Sequence, residues 1–205
     1  MPVDATAPDL RAELGRQWTE ELQALFDRMA ERWDDNPDDW AIRLTDQIGF
    51  LGKRTAVAFG RFVVDRFVQT NSARYEQRFR TEMMDGWIAE VATNSGTNIV
   101  GQLSERIEDE GQDEAFSWVT GAGVALFAGS LLGTFANFGA HEGARSAGGR
   151  QKTWQVNSQN PRASHAAMSG ETVDLGDVFS NGLRWPGYPG DASEVANCQC
   201  SLVFP

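Results

Sequence analysis

Cysteine is scarce in this chain. Its 205 residues include two, Cys198 and Cys200, with only Gln199 between them. So close a pair makes no disulfide framework, since bridging it would close a very tight ring. No secretory signal opens the sequence, and both observations point to folding in a reducing cytoplasm. Net positive charge is missing as well. The formal charge is -11, and nearly all the excess acid lies in residues 1–140, leaving 141–205 close to neutral. That balance excludes a protein whose whole surface is a nucleic-acid platform. A metalloprotease helix is excluded too. His141-Glu142 has no second histidine four residues on, so the pair reads as ordinary helix surface.

Charge of either sign is absent from residues 116–140. The run is long enough to cross a bilayer. Glycine, serine, threonine and asparagine dilute it, however, and no aromatic and basic anchors follow it. Ala125, Gly129, Gly133 and Asn137 recur at every fourth position, a small face that lets another helix approach closely. The expectation is helix packing, in the protein's own core or in a ring of subunits. Membrane insertion is the competing reading.

What fills the first two-thirds is helical periodicity. Thr6-Ala-Pro8-Asp9 has the form of a capped helix start. Leu10, Leu14, Trp18, Leu22, Leu25, Phe26, Met29 and Trp33 then form one apolar stripe, ended by the Asp34–Pro37 turn. A second stripe runs through Trp40, Leu44, Ile48, Leu51, Thr55, Phe59, Phe62 and Phe67, and a third through Tyr75, Phe79, Met83, Trp87 and Val91. Residues 93–98, with Gly96, read as a turn, and Ile99, Leu103 and Ile107 as a short helix ending near Gly111. Within the second and third stripes lie Lys53, Arg54, Arg61, Arg66, Arg74, Arg78 and Arg80, a basic stretch in an acidic protein. It reads as contact with DNA phosphates or an acidic partner, or more plainly as a solvated face neutralised by acids of the first helix.

The last quarter changes character. Residues 152–156 are a strand candidate, and Asn160-Pro161 a helix start. Arg162 and His165 share one face of that short helix, which Gly170 stops. A strand at 171–175 and a Gly/Pro-rich loop at 181–191 lead to Asn-Cys-Gln-Cys and a last strand at Ser201–Phe204.

Lys152 and Trp154, Arg162 and His165, Gly170 and Val173, Phe179, Pro186 and Gly187, and Asn197, Cys198 and Cys200 stand in an order that resembles the C-terminal domain of the Mu F-like minor head proteins, the phage head morphogenesis family. The resemblance covers about the last quarter of the chain. Two departures accompany it: Gln199 stands where the family usually has arginine, and AHEGARSAG replaces the usual Arg-Thr-Glu form before Lys152. The resemblance implies a virion protein inside the capsid near the portal vertex, in few copies, made in the host cytoplasm. It implies contact with the portal protein and a role in head assembly and in DNA packaging or ejection. Major capsid or scaffold protein, packaged DNA and further copies of the chain are additional candidate partners.

Read as chemistry, Cys198 and Cys200 place two thiols near one point, and His165 adds a third ligand type suited to zinc. No fourth ligand is selected among Asp174, Asp177 and Asp191. A Cys–His nucleophilic pair lacks an oxyanion-hole motif and an orienting residue. The plainest reading has no cofactor and no catalysis: Arg162 and His165 tie loop carbonyls, and the cysteines pack as small apolar residues. The expected architecture is a mainly α N-terminal domain (1–147) followed by a small loop-rich α+β domain (150–205).

Overall fold

The computed structural model describes residues 2–33, 36–71, 81–190, 192–195 and 197–205. A short strand β1 (Val3–Asp4) precedes helices α1 (Pro8–Glu31) and α2 (Pro37–Asn71). A 3-10 turn (Thr81–Met84) leads into α3 (Asp85–Glu110), α4 (Gln112–Ser117) and α5 (Ala122–Ser146). The small C-terminal part holds β2 (Gln151–Gln155), α6 (Ala163–Ala167), β3 (Thr172–Asp174), α7 (Ala192–Val195) and β4 (Ser201–Phe204). The fold is thus mainly α, with a small antiparallel α+β region at its end, as the periodicity predicts.

The first two apolar stripes are buried faces. Leu14, Trp18, Leu22, Leu25, Phe26 and Met29 of α1 are inside, as are Trp40, Leu44, Ile48, Leu51 and Phe59 of α2. Thr55 belongs to the second stripe because it has a partner there. Its hydroxyl accepts the buried indole N–H of Trp18 at 2.9 Å, so neither polar group is left unsatisfied. Trp18 also stacks on Phe135 of α5, with ring centroids 5.8 Å apart. Tyr75 and Phe79 of the third stripe lie outside the described residues, as do Arg74, Arg78 and Arg80 of the basic stretch.

Four local expectations are corrected. Thr6 does not cap α1. Ala7 occupies the cap position with φ 40 and no side-chain bond, while the Thr6 N–H takes the Asp4 carboxylate at 2.8 Å, because the chain must turn there from β1 into the helix. Asn160 likewise caps nothing: α6 starts at Ala163, with Arg162 at its cap. Residues 93–98 are no turn, since α3 runs unbroken through Gly96. A Cβ at Gly96 would stand 2.5 Å from Thr45 Oγ1, so the glycine serves a close crossing of α3 over α2. Finally, residues 116–140 are not one helix. α4 ends at Ser117, and Gly121 with φ 55 turns the chain before α5.

α5 is the helix the rest surrounds, packing on α2, α1 and β4. It is long and apolar enough to cross a membrane, but 61% of its most apolar window is buried inside the fold, as in a core helix. The close helix approach falls at Gly139 and Gly143 rather than at Ala125, Gly129 and Gly133. A Cβ on Gly139 would meet Ala56 O at 2.1 Å, and one on Gly143 would meet Gly60 O at 2.4 Å, both on α2. Ala125 and Gly129 are exposed, and Gly133 faces the carbonyl of Cys198, 3.2 Å from where its Cβ would be.

The sheet has the order β1-β4-β2-β3 and is antiparallel throughout. Val3 pairs with Phe204 and Trp154 with Leu202. The first strand of the chain therefore lies beside the last. Trp87 of α3, Phe138 of α5 and Trp185 of the C-terminal loop meet with centroids 4.0–5.5 Å apart. Buried apolar side chains from both sides of Ala147 form one cluster.

Candidate functional site

Two buried polar side chains on α5 hold the C-terminal loops. Asn137 donates its side-chain amide to Pro186 O and to Cys200 O, both at 3.0 Å. One turn on, His141 Nε2 lies 3.0 Å from Leu175 O, and its ring packs on Trp185 at 4.9 Å. His141 is therefore not surface, contrary to the sequence reading: it is 8% exposed. Its Nδ1 faces Glu142, which Arg145 also binds. Burial alone would raise the Glu142 carboxyl, but hydrogen bonds from His141 and Arg145 outweigh it and hold the group below its usual range.

Strand β2 alternates, so Lys152 and Trp154 point to the same buried side. Lys152 donates Nζ to Leu175 O at 3.0 Å and sits 5.4 Å from the centre of the Phe179 ring. Burial, with Arg184 nearby, lowers its pKa to about 8 against an opposing pull from Asp177. Trp154 meets the His165 ring edge-on at 5.2 Å and Phe179 at 5.1 Å. Gly170 ends the α6 turn with φ 85 and donates its N–H to Trp154 O at 2.9 Å. Pro186 contributes its carbonyl to Asn137.

The Cys-x-Cys segment closes the centre. Asn197 adopts φ 54, a left-handed conformation that asparagine tolerates better than most residues, and so redirects the chain after α7. Cys198 and Cys200 are then buried while Gln199 between them is exposed, the alternation of extended backbone. Both are free thiols. Among the described residues His165 ties no loop carbonyl, contrary to the plainest sequence reading. Its Nδ1 instead lies 3.7 Å from Cys198 Sγ and 3.5 Å from Cys200 Sγ. On the other side of the ring, Glu194 Oε2 stands 3.3 Å from Nε2, off the axis of an ideal hydrogen bond. Asn181 steadies the same carboxylate oxygen.

The two thiols titrate as one unit. Hydrogen bonding from Cys200 brings Cys198 down to about 6 against the cost of burial, with His165 and Arg162 assisting. Cys200 is pushed up, first by sharing its proton with Cys198 and then by burial. The indole N–H of Trp154 has no aligned acceptor among the described residues and favours negative charge on Cys200. Cys198 also borders a cavity of about 320 Å³ together with Arg11, Ala125, Gly129, Asn157 and Asn197.

The basic residues of α2 lie elsewhere. Lys53, Arg54, Arg61 and Arg66 are exposed, with Lys53 paired to Asp85 at 2.6 Å. Lys53, Arg54 and Arg61 border a groove of about 680 Å³ lined by Leu14, Phe50, Val57 and Ala58. Sequence reasoning missed Glu194, Asn137 and His141 as parts of the site. The signal for the last two was available: polar side chains four apart on an apolar helix require buried partners.

No family model, curated protein or solved structure matches this chain.

Proposed function

We propose that this chain is a phage minor head protein of the Mu F-like type, a structural component with no reaction of its own. The observation that carries the reading is the convergence of its motif residues. Lys152, Trp154, His165, Phe179, Cys198 and Cys200 come from four separate stretches and meet in one buried centre. A residue pattern spread over the last quarter of the chain thus has a common physical purpose. It fixes a loop-rich region whose apolar core is small. Asn137 and His141 then fasten that region to α5.

In this reading the protein sits inside the capsid near the portal vertex, and acts in head assembly and in DNA packaging or ejection. The exposed basic residues of α2, with the apolar groove they border, form the face offered to the portal protein or to packaged DNA. Co-expression with the portal protein of the same genome tests this. The two proteins are expected to co-elute on size exclusion, and charge reversal at Arg54 and Arg61 is expected to separate them. A chain that elutes alone at low and high salt contradicts the reading.

A further inference from the structure

We propose that His165 Nδ1, Cys198 Sγ and Cys200 Sγ bind a zinc ion, with water or an anion in the fourth position. The inference does not depend on the head-protein reading. These three donor atoms lie within 4.8 Å of one another, all on buried residues. Zinc bonds of about 2.3 Å to sulfur and 2.0–2.1 Å to nitrogen, at tetrahedral angles, separate sulfur from nitrogen by about 3.6 Å. The observed separations are 3.7 and 3.5 Å. Both sulfur-to-nitrogen edges thus match such a site, while the sulfur-to-sulfur edge, about 3.8 Å in a tetrahedron, falls inside the 4.8 Å that bounds all three donors.

A hydrogen bond explains this geometry less completely. A neutral imidazole has one acceptor lone pair, yet two sulfurs converge on the same Nδ1. Accepting a proton from one thiol leaves the other sulfur bonded to its neighbouring thiol but not to the ring, whereas a cation uses all three atoms. The rest of the ring supports the assignment. Metal-binding histidines commonly present their second nitrogen to a carboxylate, which fixes the tautomer. Glu194 stands in that place, 3.3 Å from Nε2. The backbone carrying the thiols is held as a rigid site requires, with Asn137 bonded to Cys200 O and Gly133 close against Cys198 O. Two thiolates also balance the charge of one Zn²⁺. Each bond formed releases the proton its sulfur held, to solvent or buffer. Water or an anion as the fourth ligand completes the arrangement of a three-ligand zinc site.

The test uses the full chain, purified under reducing conditions without chelator. Elemental analysis is expected to find one zinc per chain. Replacing zinc by cobalt(II) is expected to give sulfur-to-cobalt charge-transfer absorption with the intense visible bands of tetrahedral coordination. Cys198→Ser, Cys200→Ser and His165→Ala are each expected to lose most of the bound metal. Glu194→Gln is expected to keep the cobalt spectrum while weakening zinc affinity about 10- to 100-fold, the usual effect of removing a carboxylate behind a ligand. Wild-type protein that is folded by circular dichroism and reduced, yet takes up neither zinc nor cobalt, overturns the proposal. So does a cobalt spectrum without sulfur charge transfer. Both readouts come from the wild type, so a variant that fails to fold leaves the test intact.

Discussion

Asn137 reaches from the middle of α5 to the carbonyl of Cys200, 63 residues later, and binds it at 3.0 Å. The same amide also binds Pro186 O. One side chain therefore fixes the Pro/Gly loop and the thiol segment together. Asn137→Ala leaves both buried carbonyls without that donor. It is expected to cost about 1–3 kcal/mol in urea unfolding, the usual penalty for a buried polar group left unpaired. A variant as stable as the wild type would show that water replaces the amide.

Glycines on α5 should divide into two groups. Gly139→Ala drives a methyl into the α2 backbone at Ala56 and is expected to destabilise by about 1–3 kcal/mol or more, as overpacking does. Gly129→Ala meets nothing within 4 Å and is expected to be stabilising by up to about 1 kcal/mol through helix propensity. Thermal denaturation of the two variants decides the matter. Equal effects would contradict the close α2–α5 crossing.

Lys152 predicts a pH dependence. Its folded-state pKa is lowered to about 8 from 10.5, so the unfolded chain binds more protons than the folded one between those values. Stability from this group therefore rises with pH through that window. The gain is bounded at about 3 kcal/mol, from 1.36 kcal/mol per pKa unit. Below pH 8 the cost of burying the charge is present in full. Lys152→Met should remove the rise, and urea unfolding of both proteins at pH 7.5 to 10 measures it. Parallel pH profiles would contradict the buried-lysine account.

The basic face can be separated from the fold. Arg54 and Arg61 are exposed, so Arg54→Glu and Arg61→Glu are each expected to change stability by no more than about 0.5 kcal/mol. Loss of folding in the double variant would show that these arginines support structure rather than a partner surface.

The long elements were legible because each rests on one repeating signal. The stripes of α1 and α2 follow the helical period, and the alternation at Lys152 and Trp154 follows the strand period. Gly96 misled because a glycine that allows two helices to cross looks the same in sequence as one that turns the chain. β1 gave no signal, since two residues carry no period and their partner lies at the far end of the chain. At the site, the residue types were visible but their purpose was not. His165 could be grouped with the two thiols as a ligand set, but nothing local chose that over a loop carbonyl or announced that Glu194 stands behind the ring. Asn137 was counted among small residues by its spacing, although its amide was the more informative property.

The proposed place of this protein is a phage head, in contact with the portal. Lys152 is buried and lies out of reach of amine cross-linkers, so a photoactivatable residue at position 61 on the exposed face of α2 is the better probe. Mass spectrometry of purified particles carrying that residue is the direct measurement. The protein is expected in the particles at few copies, cross-linked from position 61 to the portal protein or to DNA. Particles that lack the protein, or that hold it with cross-links to neither, would contradict it.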